Sequence, residues 1–171
     1  MKTLFLMRHG KSDWDNDLPD FERPLAKRGL KDVPFMSGIV ANYEFKPEII
    51  VSSPAQRAKE TARIFASSIS CKNDIIYEES FYEKGESAYL NKIQQLDEKF
   101  DSAIFIGHNP TLEFCSELIC FGKKSKDSKI IMPTSSIIAF ALPIESWSEF
   151  KPGTGKIMLL LIPKLLKSKK D

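Results

Sequence analysis

Histidine is scarce in this chain: there are two in 171 residues, His9 and His108. Cysteine is nearly as scarce. Cys71, Cys115 and Cys120 are odd in number and match no metal-ligand spacing. Cys115 and Cys120 fall in a helical pattern, where cysteine behaves as a small apolar residue. A charge bias is missing too. Lys and Arg number 25 against 23 Asp and Glu, a net charge of +2, so no overall pull toward nucleic acid or a membrane surface is expected. The lysines at 123, 124 and 126, and those from Lys164 to Lys170, read as a solvated loop and a solvated tail. No apolar run approaches the length that crosses a bilayer. Internal repeats and Gly/Ser-rich linkers are absent as well. No apolar signal core precedes the strand-like segment at residues 3–7, so a reducing, cytoplasmic location is the expectation. Residues 1–171 therefore read as a single domain, with about 163–171 forming a basic C-terminal tail.

What is present is one local grammar used three times: a short apolar run, a polar turn, then a helical pattern. Leu4 to Met7 leads into Arg8-His9-Gly10 and a long polar loop from Ser12 to Leu25, a length of loop that is usually functional or disordered. Glu48 to Val51 leads into Ser52-Ser53-Pro54 and a helix carrying Ala58, Ala62, Phe65 and Ile69 on one face. Ala103 to Ile106 leads into Gly107-His108-Asn109-Pro110 and a helix carrying Leu112, Cys115, Leu118 and Ile119. Ser53-Pro54 and Asn109-Pro110 look like N-cap and first-turn proline pairs. Two more helical patterns cover about Lys27 to Ala41 and Ser87 to Phe100. In the first, Leu30, Val33, Met36 and Val40 face inward, and Pro34 should kink or restart the helix with Asp32 as the new cap. Ser136 to Leu142 and Lys156 to Ile162 read as strands that close one sheet edge. Strand and helix in alternation predict an α/β fold with a mostly parallel central sheet covered on both sides.

In such a sheet, ligands bind at the carboxyl ends of the strands. Arg8 and His9 end the first strand, His108 ends the third, and Arg57 lies in the first turn of the helix after the second. A single histidine beside a strand is more often structural, but here both histidines of the chain stand at strand ends with arginines alongside. Arginine presents a donor fork that matches phosphate oxygens, and a helix start adds free N–H groups. Phosphoryl transfer asks mainly for positioning and for charge around the equatorial oxygens, which two arginines and a second histidine supply without a metal. Flanking cations are expected to keep His9 unprotonated near neutral pH.

These residues resemble a known family. Leu6-Met7-Arg8-His9-Gly10 is similar to the Arg-His-Gly signature of the histidine phosphatase superfamily, which includes the phosphoglycerate mutases and acid phosphatases. Ser53-Pro54-Ala55-Gln56-Arg57-Ala58-Lys59-Glu60-Thr61-Ala62 resembles its second motif, and Gly107-His108-Asn109-Pro110 its third. The short length, the opening Arg8 to Trp14 and the run Arg23 to Gly29 resemble the compact SixA-type phosphohistidine phosphatases. The resemblance implies a three-layer α/β/α domain of the phosphoglycerate mutase-like kind. It implies that His9 is the nucleophile, that Arg8, Arg57 and His108 bind the phosphoryl group, and that no cofactor or metal is needed. Arg23, Asp15 and Asn109 are weaker binding candidates.

The general acid is where the match thins. Glu83, in Phe81-Tyr82-Glu83-Lys84-Gly85, is the nearest equivalent of the family's glutamate. Glu79, Asp13 and Asp15 stand behind it, and each also reads as an ordinary exposed carboxylate. An alkyl phosphate needs a proton donor for its leaving group, whereas imidazole leaves more readily, so a missing acid favours phosphohistidine as substrate. The expected partner is thus a phosphorylated protein or a small-molecule phosphate, with a sugar-phosphate phosphatase as the runner-up. A mutase is disfavoured because the interval from Ser67 to Ser102 is only about thirty-five residues and carries few cations. A non-catalytic phosphate-binding module is the alternative from another class, although such proteins usually lose the nucleophile.

Overall fold

The computed structural model describes residues 1–15 and 17–167. Its organising strand is β1 (Lys2–Arg8), in which every residue from Lys2 to Met7 is buried. A strand buried on both faces has no polar side to show, which is why Leu4-Phe5-Leu6-Met7 is continuously apolar. Successive side chains leave opposite faces of the sheet. Leu4 and Leu6 join one core together with Ile49, Val51, Ala103 and Phe105. Phe5 and Met7 join the other together with Ile50, Ile104 and Ile106.

The chain continues through α1 (Lys27–Ala41), β2 (Ile49–Ser52), α2 (Gln56–Ile69), β3 (Ile76–Tyr77), α3 (Ser80–Glu83), α4 (Glu86–Gln94), β4 (Ser102–Gly107), α5 (Thr111–Phe121), β5 (Ile137–Leu142), β6 (Lys156–Leu161) and α6 (Pro163–Leu166). Two 3-10 turns, Asp20–Glu22 and Trp147–Glu149, lie in the connections. Strand order is β3-β2-β4-β1-β5-β6. β3, β2, β4 and β1 are mutually parallel, and β5 runs antiparallel to both β1 and β6. α1 and α2 supply Val33, Met36, Ala58, Ala62 and Phe65 to the core on one face. α4 and α5 supply Tyr89, Ile93, Leu112, Cys115 and Ile119 to the core on the other. The result is the three-layer α/β/α architecture, with a six-stranded, mostly parallel sheet.

Several local expectations need correction. Pro34 does not interrupt α1, which runs through it from Lys27 to Ala41. Asp32 is no cap: it is buried and pairs with Arg28 at 3.2 Å and with Lys167. Leu30 is 51% exposed because Gly29 takes the inward position, where a Cβ would come within 2.5 Å of the Lys11 carbonyl. α2 starts at Gln56 and α5 at Thr111, so neither Ser53 nor Asn109 caps the following helix. The pattern from Ser87 to Phe100 ends earlier, with α4 closing at Gln94. The short β3 and α3 carry too few residues for periodicity to reveal. Of the segment read as a tail, Pro163–Leu166 forms α6, with Pro163 buried and Lys167 bonded to Asp32. Residues 168–171 lie outside the described residues. Among the described residues, no helix is long and apolar enough to cross a membrane.

Candidate active site

The site follows from strand register. β1 and β4 pair so that Arg8 lies opposite Gly107. The next residue on each strand is therefore a histidine, and the backbone N–H of His9 still donates to the Gly107 carbonyl at 3.1 Å. This places the two imidazoles side by side, with ring centroids 5.0 Å apart. Two glycines make room. A Cβ on Gly10 would meet Val33 and Leu25 at under 3 Å, and one on Gly107 would fall 2.0 Å from the Tyr89 hydroxyl oxygen.

Arg57, buried in the first turn of α2, spans both rings. Its Nε donates to His9 Nε2 at 3.2 Å, and its Nη2 lies 3.4 Å from His108 Nδ1. A guanidinium can only donate, so both of these ring nitrogens are acceptors. The ring protons are assigned accordingly. His9 Nδ1–H donates to the Gly10 carbonyl at 2.7 Å, and His108 Nε2–H donates to Ser53 Oγ at 2.7 Å. Burial, then the neighbouring His108, then Arg57 and Arg8, lower the pKa of His9 to about 3. Burial and the two arginines lower that of His108 to about 4, with Asp20 acting the other way. Flanking cations were expected to keep His9 neutral; burial is the larger cause.

Arg8 anchors one arm, Nη1 donating to the Met132 carbonyl at 3.0 Å, while its buried Nε has no acceptor among the described residues. Arg23 lies at the mouth. Its guanidinium is 4.0 Å from the Trp14 ring centroid, and its Nη1 is 3.7 Å from Asp20 Oδ1. Asn109 is a brace: its Nδ2 donates to the same Met132 carbonyl at 2.9 Å. Asp13 Oδ1 accepts from the backbone N–H of Asp15 at 2.9 Å, and the Asp15 residue is exposed.

Glu83 and Glu79 are both exposed around the short α3. The residue of α3 that reaches the site is Tyr82. Its ring meets that of His108 edge-on at 5.7 Å, and its hydroxyl donates to Asp20 Oδ2 at 3.1 Å. Asp20 is the carboxylate that sequence reasoning passed over. Its Oδ2 accepts from Arg57 Nη2 at 2.9 Å and its backbone carbonyl accepts from Arg57 Nη1. Ser53 was likewise missed, having been read only as a helix cap. Asp20 lies in an irregular loop with no periodicity to pick it out from Asp13, Asp15 or Asp17. Among the described residues, no group of three or more His, Cys, Asp or Glu side chains is gathered so as to hold a metal ion.

Two neutral imidazoles and a cationic fork at the carboxyl ends of parallel strands form a site suited to phosphoryl chemistry. The histidine phosphatase superfamily (branch 1) model matches residues 4–103. The chain belongs to that superfamily and is a hydrolase of the phosphatase class. Among curated relatives, an uncharacterised chloroplastic protein of Arabidopsis thaliana is 38% identical over 36% of this chain and 29% of its own length. The chain thus spans less than a third of that relative. An uncharacterised protein of Mycobacterium tuberculosis is 21% identical over 92% of this chain and all of its own length. Among solved structures, the protein histidine phosphatase SixA complexed with tungstate superposes with a TM-score of 0.80 at 22% identity, covering 96% of this chain and 99% of that one. A mycobacterial glucosyl-3-phosphoglycerate phosphatase superposes at 0.66 and 11% identity, covering 92% and 97%. At these identities the likeness is one of fold.

Proposed function

We propose that the chain hydrolyses a phosphate bond through a phosphohistidine intermediate on His9, with a protein-borne phosphohistidine as the preferred substrate. The observation that carries this reading is the unprotonated Nε2 of His9, held against the Arg57 fork while Nδ1 is tied to the Gly10 carbonyl. Nε2 attacks phosphorus, Arg8 and Arg57 take the equatorial oxygens, and His108 joins them when its Nδ1 takes up a proton as the phosphoryl dianion binds. The unpaired Arg8 Nε is a donor ready for one of them. Exposed Trp14, Phe21 and Tyr82 around the mouth suit a substrate presented on a protein surface. In this reading the protein works as one domain in the cytoplasm, and the two arginines supply the charge that a metal would otherwise bring.

A sugar-phosphate or other small-molecule phosphomonoesterase is the second reading, favoured by the presence of Asp20 beside Arg57. Labelled substrate and quenching at high pH, where the P–N bond of phosphohistidine survives, test the shared mechanism. Label is expected on His9 of the wild type and on no residue of His9→Ala, with EDTA without effect. Label on a serine, cysteine or aspartate overturns it. Catalytic efficiency on a phosphohistidine peptide, a phosphoserine peptide and sugar phosphates then separates the two substrate classes.

A further inference from the structure

Four of the five N–H groups of the Arg57 fork are already taken by the protein. Nε is on His9, Nη1 on the Asp20 carbonyl, and Nη2 on the Asp20 carboxylate beside His108. A phosphoryl group that takes both Nη edges of this fork must therefore displace Asp20. The displaced carboxylate cannot go far. Its Oδ2 is also bonded to the Tyr82 hydroxyl at 3.1 Å, Arg23 Nη1 stands 3.7 Å from its Oδ1, and its backbone is fixed in a 3-10 turn. Phe21, the next residue in that turn, packs edge-on against Tyr82 at 5.0 Å. The carboxylate is thus held beside Arg57 and Tyr82, next to the place where a group bound by the fork would lie.

We propose that Asp20 is the proton donor to the leaving group, seated over the phosphoryl site by Tyr82. The inference rests on the phosphatase reading above and deepens it. In the resting site, burial pushes the Asp20 carboxyl up, but the Arg57 and Tyr82 bonds hold it below its ordinary value, so it is ionised. When the phosphoryl oxygens take Arg57, the main lowering partner is lost and a second anion arrives beside the carboxylate. Both changes favour the protonated form. The carboxyl takes up a proton from water as the substrate seats.

The transfer balances as follows. His9 Nε2 forms a bond to phosphorus as the bond to the leaving group breaks. The electron pair goes to the leaving atom, which receives the Asp20 proton. Asp20, now a carboxylate, then takes a proton from a water whose oxygen attacks phosphorus. The pair of the breaking P–N bond returns to Nε2, giving neutral His9, inorganic phosphate and the Asp20 acid.

The test is kcat/KM of the full chain and of Asp20→Asn on a series of aryl phosphates, from 2,4-dinitrophenyl to phenyl. General acid catalysis contributes on the order of 10²–10⁴-fold when the leaving group needs a proton. Asp20→Asn is expected to lose about a hundredfold or more on phenyl phosphate but to stay within about threefold on the dinitrophenyl ester, whose turnover also shows that the variant is folded. Formate added to Asp20→Ala should restore turnover of the phenyl ester selectively. The same factor of loss across the whole series, or no loss on phenyl phosphate, overturns the proposal while leaving the phosphatase reading intact. A wild type that turns over none of the esters but hydrolyses a phosphohistidine peptide overturns this inference and leaves the phosphatase reading intact, whereas one that hydrolyses neither defeats both.

Discussion

Arg57 Nε donates to His9 Nε2 at 3.2 Å, and that one contact fixes the chemical state of the ring nitrogen proposed to attack phosphorus. A donor that cannot accept forces the opposing nitrogen to keep its lone pair. Arg57→Lys replaces a planar fork with a point charge that cannot bridge both histidines and a phosphoryl group. It is expected to lower kcat/KM by on the order of a hundredfold, as loss of a charge-stabilising donor does, with turnover falling as well as binding. Steady-state kinetics on any substrate the wild type accepts measure this.

His108 is held by Ser53, whose Oγ accepts its Nε2–H at 2.7 Å. His108→Ala is expected to cost on the order of a hundredfold or more in rate. Ser53→Ala leaves the ring in place but frees its orientation, so a smaller loss is expected, on the order of tenfold, as for partners that orient a functional imidazole. Ranking the two variants by kcat is the check; a larger loss for Ser53→Ala would contradict the assigned order.

The depressed pKa of His9 sets a direction with pH. An ordinary histidine gains its proton near pH 6.5, but His9 stays neutral down to about 3. Between those values the unfolded chain binds a proton at this position that the folded chain does not. Stability therefore rises with pH across the window and is lost as pH falls. His9→Asn should flatten that part of the denaturation midpoint against pH. If His9 is the nucleophile proposed, phosphoenzyme formation followed by rapid quench should show no protonation step from it between pH 5 and 7.

Gly107 and Tyr89 offer a test of packing at the same strand end. A methyl at position 107 falls 2.0 Å from the Tyr89 hydroxyl oxygen, and that hydroxyl donates to the Phe81 carbonyl. Gly107→Ala should destabilise by about 1–3 kcal/mol through overpacking. Adding Tyr89→Phe removes the nearest clashing atom, so the double variant should cost less than the sum of the singles. Urea denaturation of the four proteins reads the coupling.

His9, His108, Arg8 and Arg57 were legible because each sits where an apolar run ends or a helix begins, and sheet register does the rest. The same reasoning passed over Asp20 and Ser53 for opposite reasons. Asp20 belongs to a loop whose path depends on Arg57 and Tyr82, residues 37 and 62 positions away. Ser53 had a ready local explanation as a cap, and the local explanation hid the long-range one. Glu83 was placed by resemblance, and its neighbour Tyr82 carries the contact instead. Leu30 shows the limit of periodicity: an apolar residue at helical spacing is displaced when a neighbouring glycine must admit backbone.

The Met132 carbonyl accepts both Arg8 Nη1 and Asn109 Nδ2, and the N–H of Ser135 is shared between the Arg8 and His9 carbonyls. Further out, Glu117 grips the N–H groups of Ser125 and Lys129, and Glu113 that of Met132. The lysine-bearing excursion between α5 and β5 is thus pinned on its inner side and free to vary on its outer one. Exchange of the exposed Lys123, Lys126 or Asp127 should leave the reacting atoms undisturbed, whereas a one-residue shift at 132–135 would drag both strand termini with it. Change on the outer side of this loop is thus separated from the chemistry by a fixed peptide clamp.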